Sequence, residues 1–160
     1  MADQKHDEFI RRANKLAEQA VEHGNHPFGA LLVHQGKIIL EAENTVNSEQ
    51  DPTGHAETNL VRAAGKLIAP DILRDSILYT STEPCVMCSG AMYWGGISHV
   101  VYCCSESTLA KYAGDDFLTP CKEIFAKGKS RTVKIEGPIL EEEGAPLHAK
   151  YWPVLHRHLV

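Results

Sequence analysis

The sequence has little fixed positive charge. Sixteen lysines and arginines stand against twenty-one aspartates and glutamates, a formal net charge of −5. A protein that holds nucleic acid through phosphate contacts shows a basic stripe. None is evident, and the densest basic run, Lys122, Lys127, Lys129 and Arg131, reads as a solvated face. The balance favours a free small molecule over long nucleic acid as the partner. No segment approaches the roughly 18 apolar residues that span a membrane. No apolar core of signal-peptide length follows Met1-Ala2-Asp3-Gln4-Lys5-His6. Internal repeats, low-complexity tracts and linkers are missing too, so residues 1–160 are expected to form one domain. Cysteine is sparse and its count of five is odd. Cys103 and Cys104 are adjacent, a poor geometry for bridging each other. That usage fits reduced thiols in the cytoplasm better than a disulfide framework.

What is present begins with a globular composition, 43% hydrophobic and 23% charged residues. A chain of this size buries roughly two thirds of the surface it exposes when unfolded. Two short segments then carry chemistry: His55-Ala56-Glu57, and Pro84-Cys85-Val86-Met87-Cys88. One histidine and two thiolates make three protein ligands for a zinc ion, leaving the fourth tetrahedral position open for water. Structural zinc sites close all four positions, so this count points to catalysis. Glu57, two residues after the histidine, is placed to move protons without being a ligand. Taken alone, Cys85-x-x-Cys88 also suits a redox dithiol or half of a structural site. A redox role leaves His55-Ala56-Glu57 unexplained, and Cys103-Cys104 lacks the spacing to complete four cysteines.

The segments between these motifs alternate in period. Phe9, Ile10, Ala13, Leu16, Ala17, Ala20 and Val21 predict a helix over Asp7 to Val21, stopped at Gly24. Leu31-Leu32-Val33, a turn at Gln35-Gly36-Lys37 and Ile38-Ile39-Leu40 predict a hairpin. Gly29, ahead of the first strand, reads equally as a turn device and as a place where backbone approaches a ligand. A polar loop through Ser48 and Pro52 precedes a second helix beginning near His55, with Pro70 ending that unit. Ile77-Leu78-Tyr79-Thr80 is a third strand, Cys85 to Tyr93 a third helix, and Val100-Val101-Tyr102-Cys103 a fourth strand. Both helices then start with metal-type residues in their first turns, where outward N–H groups favour thiolate. Ser107 to Ala113 and Glu123 to Ala126 predict short helices, Thr132 to Ile135 a short strand, and Leu147 to Leu159 a last helix. Strands alternating with helices give the α/β class with a central sheet.

The pattern H-x-E followed by P-C-x-x-C is the signature of zinc-dependent base deaminases. At these residues the chain resembles the cytidine deaminase-like superfamily. That resemblance implies a three-layer α/β/α sandwich around a mixed five-stranded sheet, one zinc per chain held by His55, Cys85 and Cys88, and Glu57 as catalytic acid and base. From Pro27 to about Phe117 it covers a little over half of the chain. Pro27-Phe28-Gly29-Ala30, Asn44 and Asp51-Pro52-Thr53 are similar to the branch of guanine, guanosine, tRNA adenosine and fungal-type cytosine deaminases. Gly90-Ala91-Met92-Tyr93-Trp94 and Ala113-Gly114-Asp115-Asp116-Phe117 resemble segments of guanine deaminases, although the aromatic expected between Gly114 and Asp115 is missing. The resemblance implies that Asn44 donates to the base carbonyl and that Asp115 or Asp116 accepts from a purine N–H. Phe28, Tyr93 and Trp94 become candidate walls, and Ala56 is grouped with the substrate-binding residues. It also implies a homodimer, in which Tyr151 and Trp152 of the C-terminal segment reach toward the partner's site. Guanine deamination to xanthine is the leading expectation. A tRNA adenosine deaminase, a cytosine or guanosine deaminase, and a zinc-stabilised binding module are the alternatives. Lys150 and Arg157 are the only fixed cations after Lys134, which departs from the basic C-terminal helix of tRNA deaminases.

Overall fold

The computed structural model describes residues 4–114 and 116–156. The elements in order are α1 (Gln4–Glu22), β1 (Gly29–His34), β2 (Lys37–Glu43), α2 (Val46–Glu49), α3 (Ala56–Leu67), α4 (Pro70–Arg74) and β3 (Ile77–Thr82). They continue with α5 (Val86–Trp94), β4 (His99–Cys104), α6 (Glu106–Ala113), α7 (Cys121–Phe125), β5 (Lys134–Glu136) and α8 (Glu141–His156). The sheet runs β2-β1-β3-β4-β5. β1 pairs antiparallel with β2 and β3, while β3, β4 and β5 are mutually parallel. The expected mixed five-stranded sheet is present.

Strand alternation builds the layers. Side chains switch faces at every residue, so Ala30 and Leu32, Leu78, and Val100 and Tyr102 point one way. There they pack on Ala56, Leu60 and Ala64 of α3, Met92 of α5 and Phe125 of α7. Leu31 and Val33, Tyr79, and Val101 and Cys103 point the other way, onto Ile10, Ala13 and Leu16 of α1. Gly144 of α8 reaches the same face: a Cβ there would stand 2.6 Å from Cys103 Sγ and 3.4 Å from Asn14 Oδ1. The result is the three-layer α/β/α sandwich. The hairpin turns on Gln35 and Gly36, both at positive φ (50° and 76°), the geometry that matches strand twist.

Three expectations are corrected. Pro70 begins α4 at its first turn instead of closing the preceding unit, the position where its missing N–H costs nothing. The last helix begins at Glu141, six residues before the expected Leu147, because the helix runs through Gly144 and Pro146; the expected end at Leu159 lies outside the described residues. Strand β5 occupies Lys134–Glu136, where His99, Val100 and Val101 supply its partners.

Candidate active site

Two helix N-termini bring the metal-type residues together. His55 is the N-cap of α3 and Cys85 the N-cap of α5, both with extended backbone and neither using its side chain as a cap. They stand one residue ahead of the first turns expected for them, while Glu57 and Cys88 lie within those turns. The site thus sits where two sets of unpaired helical N–H groups point, a setting that favours anions.

His55 Nδ1 lies 3.5 Å from Cys85 Sγ and 3.6 Å from Cys88 Sγ. A tetrahedral zinc with Zn–N of about 2.0 Å and Zn–S of about 2.3 Å needs an N···S edge of about 3.5 Å. The donors already stand at that separation. Among the described residues, this is the one His/Cys/Asp/Glu group spaced for an ion. Hydrogen bonding from Cys88, and then from His55, holds Cys85 far below the ordinary thiol range, while Cys88 is raised by its bond to Cys85 and by burial.

Glu57 is buried beside this group. Thr80 Oγ1 donates to its Oε1 at 2.7 Å and Cys88 Sγ to its Oε2 at 3.4 Å. Thr80 Oγ1 also lies 3.0 Å from the Thr82 carbonyl. Burial raises the Glu57 pKa, so this carboxyl takes up a proton more readily than one on the surface. His55, Glu57 and Cys85 line a cavity of about 130 Å³ together with Phe28, Glu83, Glu106 and Leu109. A larger concavity of about 450 Å³ lies between β2, α2 and α3 and contains none of the metal-type residues.

The other expected residues divide. Phe28 is on the cavity wall. Asn44 is 1% exposed; its Oδ1 accepts the Val46 N–H at 3.1 Å, and its Nδ2 has no acceptor among the described residues. Ala56 is fully buried as the first residue of α3. Trp94 is different. It is 86% exposed, packs edge-on against Tyr93 at 5.5 Å, and is not among the cavity-lining residues. Nine residues separate it from Cys85, about 13 Å along a helix and two and a half turns round it. Asp116 is exposed, and Asp115 lies outside the described residues. Tyr151 reaches its own chain: its hydroxyl is 2.8 Å from His26 Nδ1, and Trp152 stacks on the same imidazole at 5.4 Å. His148 anchors this helix, with Nε2 2.8 Å from Thr82 Oγ1 and Nδ1 accepting from Trp152 Nε1 at 3.1 Å. Burial lowers the His148 pKa to about 4, so it is the neutral ring that makes these bonds.

The sequence reading did not assign Thr80, Glu83, Glu106 or Leu109 to the site. The signal for the two glutamates was available: each follows the carboxyl end of a parallel strand, β3 or β4, where α/β sheets place their ligands.

A sheet of this order, with a His/Cys/Cys group and a buried glutamate at two helix N-termini, defines the class of zinc-dependent base deaminases. Residues 3–104 match the family described as the cytidine and deoxycytidylate deaminase zinc-binding region, and the chain belongs to that family. It is 42% identical over 145 residues to a guanine deaminase of Bacillus subtilis, covering 90% of this chain and 92% of that one. It is 35% identical over 149 residues to a probable cytosine deaminase of Schizosaccharomyces pombe, covering 90% of each. A guanine deaminase structure from Nitrosomonas europaea shares the fold, with a TM-score of 0.78 at 23% identity, over 91% of this chain and 83% of that one. The protein is a zinc-dependent hydrolytic deaminase. Among its described residues, no helix is long and apolar enough to cross a membrane.

Proposed function

We propose that this single domain removes the amino group of a free purine base, converting guanine and water to xanthine and ammonia. The observation that carries the reading is the 42% identity to a guanine deaminase across nine tenths of the chain. His55, Cys85 and Cys88 would hold the ion. Bound there, zinc lowers the pKa of water and supplies hydroxide at neutral pH.

The chain's residues do the rest. Glu57 takes the proton that the nucleophile sheds and passes it to a ring nitrogen, then takes the second proton from the hydroxyl added to the ring carbon and delivers it to the departing amine. The Thr80 hydroxyl steers Oε1 of Glu57, and burial keeps that carboxyl ready to carry a proton. The free Nδ2 of Asn44 donates to the base carbonyl, with the backbone N–H of Ala56 close by in sequence to the acid. Phe28 covers a ring face. Asp115 or Asp116 accepts from a purine N–H, and Tyr151 closes the rim beside His26.

The protein is read as a cytoplasmic homodimer. Five free cysteines support the compartment. Leu67 at the end of α3 and Trp94 at the end of α5 support the assembly, because these large apolar side chains are 74% and 86% exposed in one protomer. Trp94 is thereby reassigned from pocket wall to subunit contact. Sedimentation should find a dimer that Trp94→Asp dissociates; a monomeric wild type refutes the assembly.

Ammonia release tests the activity. The zinc-loaded protein is offered guanine, guanosine, adenine, cytosine, cytidine and an anticodon stem-loop RNA. Turnover of guanine alone is expected. Turnover of the RNA would move the protein to tRNA editing, a reading that the net charge of −5 disfavours. Silence on guanine with turnover of another base would overturn the substrate and leave the chemistry.

A further inference from the structure

Seven residues line the cavity beside the metal group, and most have assigned work. His55 and Cys85 face the ion, Glu57 moves protons, and Phe28 and Leu109 are apolar. Two carboxyls remain, and the structure separates their roles. Glu83 has both oxygens occupied by backbone: Oε2 accepts the Glu106 N–H and Oε1 the Cys121 N–H, each at 2.9 Å. It ties the end of β3 to the starts of α6 and α7 and has little left to offer a ligand.

Glu106 differs. Its Oε2 accepts the Thr119 N–H at 3.2 Å, and among the described residues no donor reaches Oε1. The residue is 7% exposed, and Oε1 is not among the fully enclosed polar atoms that lack a partner, so it stays accessible on the cavity wall. Its backbone is fixed by Glu83 on one side and its carboxyl by Thr119 on the other, which locks the side chain in place. Burial, and then the charge of Glu83, raise its pKa to about 7. An oxygen on a cavity wall with no donor from the described residues is open to a donor from a ligand.

We propose that Glu106 is a substrate-binding residue, whose free oxygen accepts a hydrogen bond from a ring N–H of the base. The inference rests on the purine reading above and specifies it. In its ionised form the carboxyl is acceptor-only, and in that form this wall favours a base that presents N–H over one that presents a lone pair. Guanine oriented with its exocyclic amine toward the metal group still carries N–H donors on both rings, and one of them would meet Glu106.

The test compares wild type with Glu106→Gln and Glu106→Asp on guanine, 1-methylguanine and 9-methylguanine, all zinc-loaded. Glutamine keeps an oxygen for Thr119 and turns an amide donor toward the base, so the loop anchor survives while the acceptor is lost. A charge-assisted hydrogen bond contributes about 1.5–3 kcal/mol, so kcat/KM on guanine should fall about 10–150-fold, mostly in KM. Glu106→Asp should recover part of it. The analogue methylated at the nitrogen that Glu106 reads should be equally poor for wild type and Glu106→Gln, whereas the other analogue should show the full loss. A purely structural Glu106 gives the same proportional loss on all three compounds, and that overturns the proposal, as does an unchanged KM for guanine. If wild type ignores guanine and deaminates another base, the guanine reading falls, and the same comparison on that base and its N-methyl form decides Glu106 alone. If wild type neither turns over nor binds any base in calorimetry, both fall.

Discussion

Gly29 opens β1 directly beneath α1, and the packing there leaves no room for a side chain. A Cβ at Gly29 would lie 2.5 Å from the Ala13 carbonyl oxygen, 2.5 Å from Leu16 Cβ and 2.6 Å from the Ala17 nitrogen. Two of these three atoms are backbone, so no rotamer change relieves the contact. Reaching ordinary van der Waals separation, which begins at 3.4 Å, requires α1 to lift by about 1 Å (3.4 − 2.5 = 0.9 Å). That helix buries Ile10, Ala13, Leu16, Ala17 and Ala20 against the sheet, and a gap of 0.5–1 Å forfeits roughly a quarter to a half of each dispersion contact it opens. Overpacking of this kind costs about 3 kcal/mol. At about 2–4 °C per kcal/mol for a chain of this size, Gly29→Ala should lower Tm by about 6–12 °C. Differential scanning calorimetry of the zinc-loaded protein measures it, with far-UV circular dichroism confirming that the variant is folded at 20 °C. A Tm within 2 °C of wild type would show that α1 moves freely on the sheet and would refute the packing argument. The missing side chain at Gly29 is what seats the helix on the sheet.

The proton-handling residues give two further expectations. Glu57→Gln should retain one zinc per chain by elemental analysis while kcat falls about 10²–10⁴-fold, the contribution of a positioned acid and base; a variant with near-wild-type turnover would remove Glu57 from the mechanism. Thr80→Val should lower kcat about 10–150-fold with KM little changed, since it deletes one hydrogen bond to the carboxyl, and Thr80→Ser should restore it. Equal rates for Thr80→Val and wild type would mean that the 2.7 Å contact does not steer Glu57.

Legibility in the sequence followed the range of the interaction that decides each feature. Strands β1, β3 and β4 were readable because they are buried on both faces and so appear as unbroken apolar runs, Leu31-Leu32-Val33 and Val100-Val101-Tyr102-Cys103 among them. Helix α2 was hidden in the polar loop, since its four residues bury nothing. The start of α8 was hidden by Gly144 and Pro146, which read locally as breakers. What overrides them is tertiary: Gly144 lets the helix approach Cys103, and Glu141 caps the neighbouring segment by accepting from the N–H and hydroxyl of Ser105, both at 2.7 Å. Trp94 is 86% exposed in one protomer and does not line the cavity. Its spacing from Cys85 places it half a turn out of phase, which helical geometry alone makes legible.

The site was legible in the same graded way. His55, Glu57, Cys85 and Cys88 lie in two short motifs, so four residues declare themselves without any knowledge of the sheet. Glu106 belongs to no motif and depends on topology. Strand β3 ends at Thr82 and hands the chain through Glu83-Pro84-Cys85 to α5; β4 ends at Cys104 and hands it through Ser105-Glu106 to α6. Because β3 and β4 are parallel neighbours, both handovers occur at one edge of the sheet, and each delivers an acid there. One acid fastens the two handovers together through the Glu106 N–H, and the other is thereby held against the cavity with an oxygen unspent. The repeated strand-to-helix step therefore brings both acids to the cavity that the metal-type residues line, and the unspent oxygen marks where a ring N–H would be read.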